Sequence, residues 1–388
     1  MANSRVFYAC QGVLVKERNT DDGDTPPVDG TYLNGVTSVG INGSFPSQSL
    51  PDIGRFQRKY HYYSPQEFEI TIERVLDQSS DFFYHVDPSD YTSGKVGYEN
   101  THILADNNIN NGGDKLKNYD VTVLYGADSV DLLSDNTSDI KYVTYRNCLI
   151  TSINYNISAQ GGAGVTESIT LITRSADYDT DSASGFTLPS SAESGDIIKR
   201  ADVKWDLLSG NFSILPSEAE TIFDTSETLD GKKILGINNI QITAAINYSE
   251  ITDIGKRRGI PETGGATKTD QGEQNLWRYV ILPVQVTCSF TGTARQPFPS
   301  DVLNIDTTFS ANNKIRLVAE KFPSPPSSTY FVWDLGRRNY LTDMSYSGGD
   351  TSGGNLEITM SYQNDRSDIV LVKDTTVRDL SAGRDFIY

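Results

Sequence analysis

Alternation of apolar and polar residues, written twice along the chain with its landmarks in the same order, restricts what this sequence can fold into. Between Val36 and Leu76, Val39 and Ile41 alternate with Ser38, Gly40 and Asn42. Phe68, Ile70 and Ile72 then alternate with Glu67, Glu69, Thr71 and Glu73. A period of two sends successive side chains to opposite faces, so each run predicts a strand with one buried and one wet face. About two hundred residues later Ile240 and Ile242 stand where Val39 and Ile41 stood, and Asp253-Ile254-Gly255-Lys256 repeats Asp52-Ile53-Gly54-Arg55.

The parallel continues downstream. Arg146-Asn147-Cys148-Leu149-Ile150-Thr151 is echoed by Arg338-Asn339-Tyr340-Leu341-Thr342, and Tyr155 by Tyr346. A Gly-rich turn follows in each, after which Glu167–Leu171 matches Leu356–Met360. Landmarks in one order at similar spacing argue for a tandem duplication of one β domain. Strands are expected at Arg5–Val15, Val121–Tyr125, Lys141–Val143, Leu149–Ile157 and Ser168–Arg174. In the second copy they are expected at Ile237–Ile246, Val284–Phe290, Ile315–Ala319, Leu341–Tyr346 and Leu356–Tyr362, with a last apolar run at Ile369–Val372. The Ser/Asp/Ala-rich run from about Ala176 to Asp196 reads as a linker. The domains are therefore set at 1–178 and 200–388, with 179–199 between them. Helical periodicity is weak everywhere, with 78–90 and Glu218–Phe223 the candidates. The fold class is all-β.

Composition narrows the function. Aliphatic and aromatic residues suffice for real cores, and no stretch approaches the roughly 18 apolar residues that span a bilayer. The N-terminus lacks a basic region followed by an apolar core, so no secretory signal is expected. Cys10, Cys148 and Cys288 have no metal-ligand spacing and read as reduced thiols. A net charge of −18 does not suit a protein that grips phosphate backbones; it suits a solvated surface, or a wall that a polyanion passes without sticking. His61, His85 and His102 belong to no nucleophile signature. The calcium-like run Asp106–Asn111 lacks the Gly at position six and has Lys117 at position twelve. No phosphate-cradling Gly-rich loop occurs. Glu69 and Glu73, four residues apart on one strand, lie roughly 13 Å from each other, too far for paired-carboxylate glycoside chemistry. No catalytic, metal or cofactor site is expected. The 21 tyrosines leave a carbohydrate-binding β protein as an alternative of another class.

Val36-Thr37-Ser38-Val39-Gly40-Ile41, the Asp52-Ile53-Gly54 element and Ile70-Thr71-Ile72-Glu73-Arg74-Val75-Leu76-Asp77 resemble the major tail tube proteins of long-tailed bacteriophages, although Gln78 stands where a Gly is common. The resemblance covers both copies in outline, but neither the linker nor the large loops. It implies a β-sandwich or half-barrel with a flanking helix, and six domains in a ring around a DNA channel. A chain with two such domains would make the ring as a homotrimer, with rings stacked into a tube. The resemblance further implies a virion protein assembled in the host bacterial cytoplasm. Its partners would be its own copies, tape measure, distal and terminator tail proteins and a possible sheath, with genomic DNA passing through unbound and no membrane. A distal hub or baseplate protein of the same fold is the near alternative.

Under this resemblance the polar strand faces become the channel wall. They carry Asn42, Ser44, Glu69, Thr71 and Glu73 in the first copy, and Gln241, Thr243, Gln285, Thr287, Ser289, Glu357 and Thr359 in the second. The second copy also has a longer segment, Arg257–Ile281, expected as an inserted loop. Its Arg257, Arg258, Trp277 and Tyr279 are candidates for contacts between rings or subunits.

Overall fold

A computed structural model describes residues 11–18, 30–45, 47–51, 58–63, 66–76, 118–126, 140–158, 164–179, 215–216, 219, 222–223, 228–229, 232–233, 236–245, 247–257, 274–280, 285–293, 315–320, 330–336, 339–347, 356–364 and 370–374. Every regular element among them is a strand. The chain opens with β1 (Gln11–Arg18), β2 (Thr31–Tyr32), β3 (Val36–Ser44), β4 (Ser47–Pro51), β5 (Arg58–Tyr63), β6 (Glu67–Val75) and β7 (Asn118–Tyr125). The long β8 (Lys141–Ser158), β9 (Thr166–Thr173) and β10 (Ser175–Asp179) follow. Then come β11 (Thr228–Leu229), β12 (Lys232–Lys233), β13 (Ile237–Ala245), β14 (Tyr248–Arg257), β15 (Gln274–Val280) and β16 (Gln285–Thr293). Last are β17 (Ile315–Glu320), β18 (Tyr330–Gly336), β19 (Asn339–Ser347), β20 (Glu357–Asn364) and β21 (Val370–Asp374). The chain is all-β, as the alternation predicts.

One antiparallel sheet of 12 strands dominates. Its backbone is a path of eight strands in the order β3-β6-β9-β8-β13-β16-β20-β19. The first four strands and the last four have matching registers. Val39, Ile72, Ile169 and Ile153 form one cross-strand row. Ile240, Phe290, Met360 and Met344 form the row in the same place of the second group. The irregularities match too. A bulge separates Val36 from Ser38 opposite β6, and Ile237 from Asn239 opposite β16. The bulges at Thr151 and Thr342 are also equivalent, and each threonine donates its Oγ1 hydrogen to a carbonyl 3.1 Å away, Thr170 O and Ser361 O respectively. Before each first strand a glycine approaches its neighbour closely. Val75 N–H donates to Gly35 O and Thr293 N–H to Gly236 O, both at 2.9 Å. Gly35 has φ +72°, and a Cβ there would overlap the Val75 carbonyl oxygen. A Cβ on Gly236 would lie 2.6 Å from Thr293 O. Bulges fix strand register, so shared bulges mean shared register.

These registers correct one sequence pairing by two residues. Ile169 occupies the place of Met360, not Ile358, just as Ile70 occupies that of Cys288. A two-residue slip keeps every side chain on its face, so alternation alone does not detect it.

β8 was expected as two strands and is one of 18 residues. Its first half pairs with β7 and β10, its second with β9 and β13. The strand turns this corner at Asn147, whose φ is 57° and whose N–H donates to Asp120 Oδ1 at 2.8 Å. Thr173 Oγ1 donates to Arg146 O, and Arg146 Nη2 meets Asp177 Oδ2 at 2.8 Å. At the matching corner Asn364, which stands where Thr173 stands, donates to Leu335 O and to Asn339 Oδ1, the latter at 3.0 Å. A strand bent by a bulge passes from one layer to another in this way. β10 also corrects the expected linker, because Ser175–Asp179 pairs with β8 rather than leaving the fold.

The core lies between the large sheet's apolar face and a second layer, made of β2-β1-β7 with the first half of β8 and of β17-β18-β21. Tyr145 meets Phe68 edge-on at 5.6 Å, and Trp333 meets Tyr155 at 6.0 Å. Of the helix candidates, 78–90 lies outside the described residues. The other contributes a single helical hydrogen bond, Phe223 N–H to Ala219 O at 3.1 Å, with Ala219, Ile222 and Phe223 buried in the core.

Candidate assembly surface

The face of the eight-strand sheet opposite this core is mostly polar, interrupted by Ile172 and Leu149 in the row of Glu69 and by Ala245 beside Gln285. It gathers all twelve residues assigned to it from the sequence. Asn42 and Ser44 on β3, Glu69 and Glu73 on β6, Gln241 on β13 and Gln285 on β16 are exposed. Thr71, Thr243, Thr287, Ser289, Glu357 and Thr359 are half-buried by their neighbours. Cross-strand pairing makes the face continuous: one row runs Ser38, Glu73, Ser168, Asn154, Thr243, Thr287, Gln363. Hydroxyls and amides along it bond one another. Thr243 Oγ1 donates to Asn154 Oδ1 at 3.2 Å, the Thr291 and Thr359 hydroxyls are 3.0 Å apart, and Ser38 Oγ donates to Glu73 Oε2 at 2.8 Å. The sequence reading missed Asn154, Asn156, Ser168 and Thr170 here, although the run Ile153-Asn154-Tyr155-Asn156-Ile157 shows the same period.

Charge is unevenly spread over this face. Its carboxylates are Glu67, Glu69 and Glu73 on β6, Asp343 on β19 and Glu357 on β20. The four middle strands, β9, β8, β13 and β16, contribute none to it. Arg174 Nη2 lies 3.8 Å from Glu67 Oε2 in this acidic group.

Among the described residues the sheet ends on β3 and β19, and three of the four exposed large apolar residues lie at these edges, the fourth, Leu356, standing just before β20. Ile41 is 37% and Phe45 60% exposed at one end, and Tyr346 is 48% exposed at the other. The partly buried apolar residues Val36 and Val39, and Leu341 and Met344, occupy the same two strands. At the centre of the sheet the strands corresponding to these edges are joined. β8 pairs with β13, setting Tyr155 opposite Ile242, and both are fully buried. Tyr346 corresponds to Tyr155 and Ile41 to Ile242. The same residue types are thus fully buried at the inner junction and part-exposed at the outer edges.

The segment expected as an inserted loop is a hairpin at its base. β14 pairs with β15, placing Ile251 opposite Trp277, Ser249 opposite Tyr279 and Arg257 opposite Gln274. Trp277 and Tyr279 therefore lie on a strand, while Arg258 lies outside the described residues. The shorter hairpin β4–β5 occupies the same interval in the first copy. The Asp106–Asn111 run also lies outside the described residues. Among the described residues no group of three or more His, Cys, Asp or Glu could hold a metal ion. Cys148 and Cys288 are buried free thiols, and burial pushes the Cys288 thiol far above its ordinary pKa. Compared with protein-family models and with curated proteins, the chain gives no match.

Proposed function

We propose that this chain is a tandem duplication of one β domain, and a structural subunit that joins its own copies edge to edge into a closed ring. The observation that carries this reading is the pair of part-exposed edge residues Ile41 and Tyr346, whose counterparts Ile242 and Tyr155 are fully buried where β8 pairs with β13 within the chain. Repeating the inner junction between chains sets β19 of one copy against β3 of the next. That pairing is head to tail, and head-to-tail contacts that close give rings. Closure also removes the open edges, which are aggregation hazards on a free subunit.

The resemblance to phage tail tube proteins supplies the number and the use. Six domains from three chains would surround a channel lined by the polar face, and rings would stack into a tail tube through which genomic DNA passes. A wall of amides, hydroxyls and carboxylates offers a polyanion no deep binding well. The hairpin carrying Arg257, Trp277 and Tyr279 is the candidate contact between rings.

Negative-stain microscopy of the purified protein tests the reading. Rings or tubes with threefold repeats are expected. A protein that stays monomeric at every concentration would overturn edge joining, and true sixfold order with one chain per sixth would overturn the three-chain ring.

A further inference from the structure

The joint between chains and the joint within the chain would have the same backbone geometry but opposite electrostatics. At the inner junction Ser152 faces Ala245, which neighbours Gln285, and Asn154 faces Thr243, which neighbours Thr287. Carried to the open edges by the shared registers, these rows become Asp343 facing Ser44, beside Glu67, and Ser345 facing Asn42, beside Glu69. Of these two uncharged rows, the first gains a carboxylate on each side of the joint and the second gains Glu69 on one side. Glu357, 3.5 Å from Ser347 Oγ, and Glu73, bonded to Ser38, extend the acidic band along the same joint. Arg174 beside Glu67 is the described cation that faces it.

We infer that the chain-to-chain joint is gated by ionic strength: carboxylates of β19 and β20 repel those of β6 in the next copy, and association tightens as salt screens them. This rests on the edge-joining reading above. With strands about 4.8 Å apart, Asp343 and Glu67 would stand roughly 10 Å from each other, two strands away. That distance is well inside the screening length of about 30 Å at 0.01 M salt and close to the roughly 8 Å at 0.15 M, so the repulsion weakens strongly between the two. Summed over the cross-joint carboxylate pairs in a watery medium, the change corresponds to about threefold tighter association per joint. The inner junction escapes this gate, since no carboxylate of the polar face lies on its four strands.

The experiment compares the natural chain with a triple variant bearing the inner junction's own residues: Asp343→Ser, Glu67→Gln and Glu69→Thr. All three side chains are exposed, so thermal unfolding should change little, and that measurement accompanies the test. Association of both proteins is followed by sedimentation velocity from about 10 mM to about 150 mM sodium chloride. The natural chain should associate about threefold more tightly per joint at the higher salt and the variant less than about 1.5-fold. Equal salt dependence in two associating proteins would overturn the gate and leave edge joining standing. Two proteins that remain monomeric at every salt concentration would overturn edge joining, and the gate with it.

Discussion

Replacing Tyr346 by Ser separates assembly from folding. In the free chain this side chain is 48% exposed, whereas Tyr155, in the same place at the inner junction, is fully buried. Completing the burial of a tyrosine of about 200 Å² therefore covers about 100 Å², worth roughly 2 kcal/mol once the hydroxyl is discounted. Losing that term weakens each joint by about 30-fold. In a ring of three equivalent joints the losses add, because the sites are far apart, and reach about 6 kcal/mol. Sedimentation velocity over a concentration series, with a urea unfolding curve alongside, reads both effects. Tyr346→Ser is expected to shift assembly to much higher concentration while the chain unfolds cooperatively near its usual midpoint. Tyr155→Ser, the same change in the buried copy, opens a cavity beside Trp333 and should lower stability by about 3–5 kcal/mol. Normal rings from Tyr346→Ser at the natural concentration would refute the claim that this edge is the joint.

Three further outcomes concern the fold itself. Gly35→Ala and Gly236→Ala each push a methyl group into a neighbouring carbonyl and should lower the urea midpoint by the equivalent of about 1–3 kcal/mol; an unchanged midpoint would show that the turn relaxes freely. Arg74 and Glu167 form a buried ion pair, Nε to Oε2 at 2.8 Å, where the second copy has Gly292 and Ile358. Arg74→Met or Glu167→Leu alone should cost about 3–5 kcal/mol and the two together far less, so additive losses in a double-mutant cycle would count against the pair. Burial holds the Cys288 thiol protonated above its ordinary value of 9.0. The fold keeps this contribution below that pH and loses it as pH rises beyond, and peptide mapping after native alkylation at about pH 8 should find Cys288 unmodified.

Much of the large sheet was legible because its faces differ so sharply. Where one side is core and the other wet, a strand must alternate, and so the twelve polar-face residues could be read off. What the sequence hid has physical causes. The continuity of β8 depends on Asn147 adopting a left-handed conformation held by Asp120, which no periodicity announces. β10 was read as linker because Ser175-Ala176-Asp177-Tyr178-Asp179 is mostly polar, yet its backbone completes a layer and Asp177 anchors Arg146. β18, Tyr330–Gly336, carries too little alternation to separate it from its flanks. The junction of β8 with β13 leaves no signature at all, since a strand's edge partner is chosen by topology and not by its own pattern.

That junction would give the proposed duplication its physical sense. A joint inside one chain forms at the high effective concentration set by the connecting segment, so its formation does not cost the translational freedom lost when two molecules meet. It can be made from Asn154, Thr243, Ser152 and Ala245, with Tyr155 and Ile242 beneath. A joint between molecules must recover that cost from burial and must also avoid forming in the wrong place, because a strand edge pairs with any free backbone it meets. The open edges answer both needs with residues of opposite tendency on opposite faces. Ile41 and Tyr346 offer apolar area on the core side, while Glu67, Glu69, Glu73, Asp343 and Glu357 charge the polar side. Two copies meeting β3 to β3 would bring the three β6 glutamates of each together, a worse arrangement than the head-to-tail one, which sets those three against only Asp343 and Glu357. On the edge-joining proposal, charge placed at the ends of the sheet and withheld from its middle would therefore favour closing the ring over the β3-to-β3 pairing that would stop it.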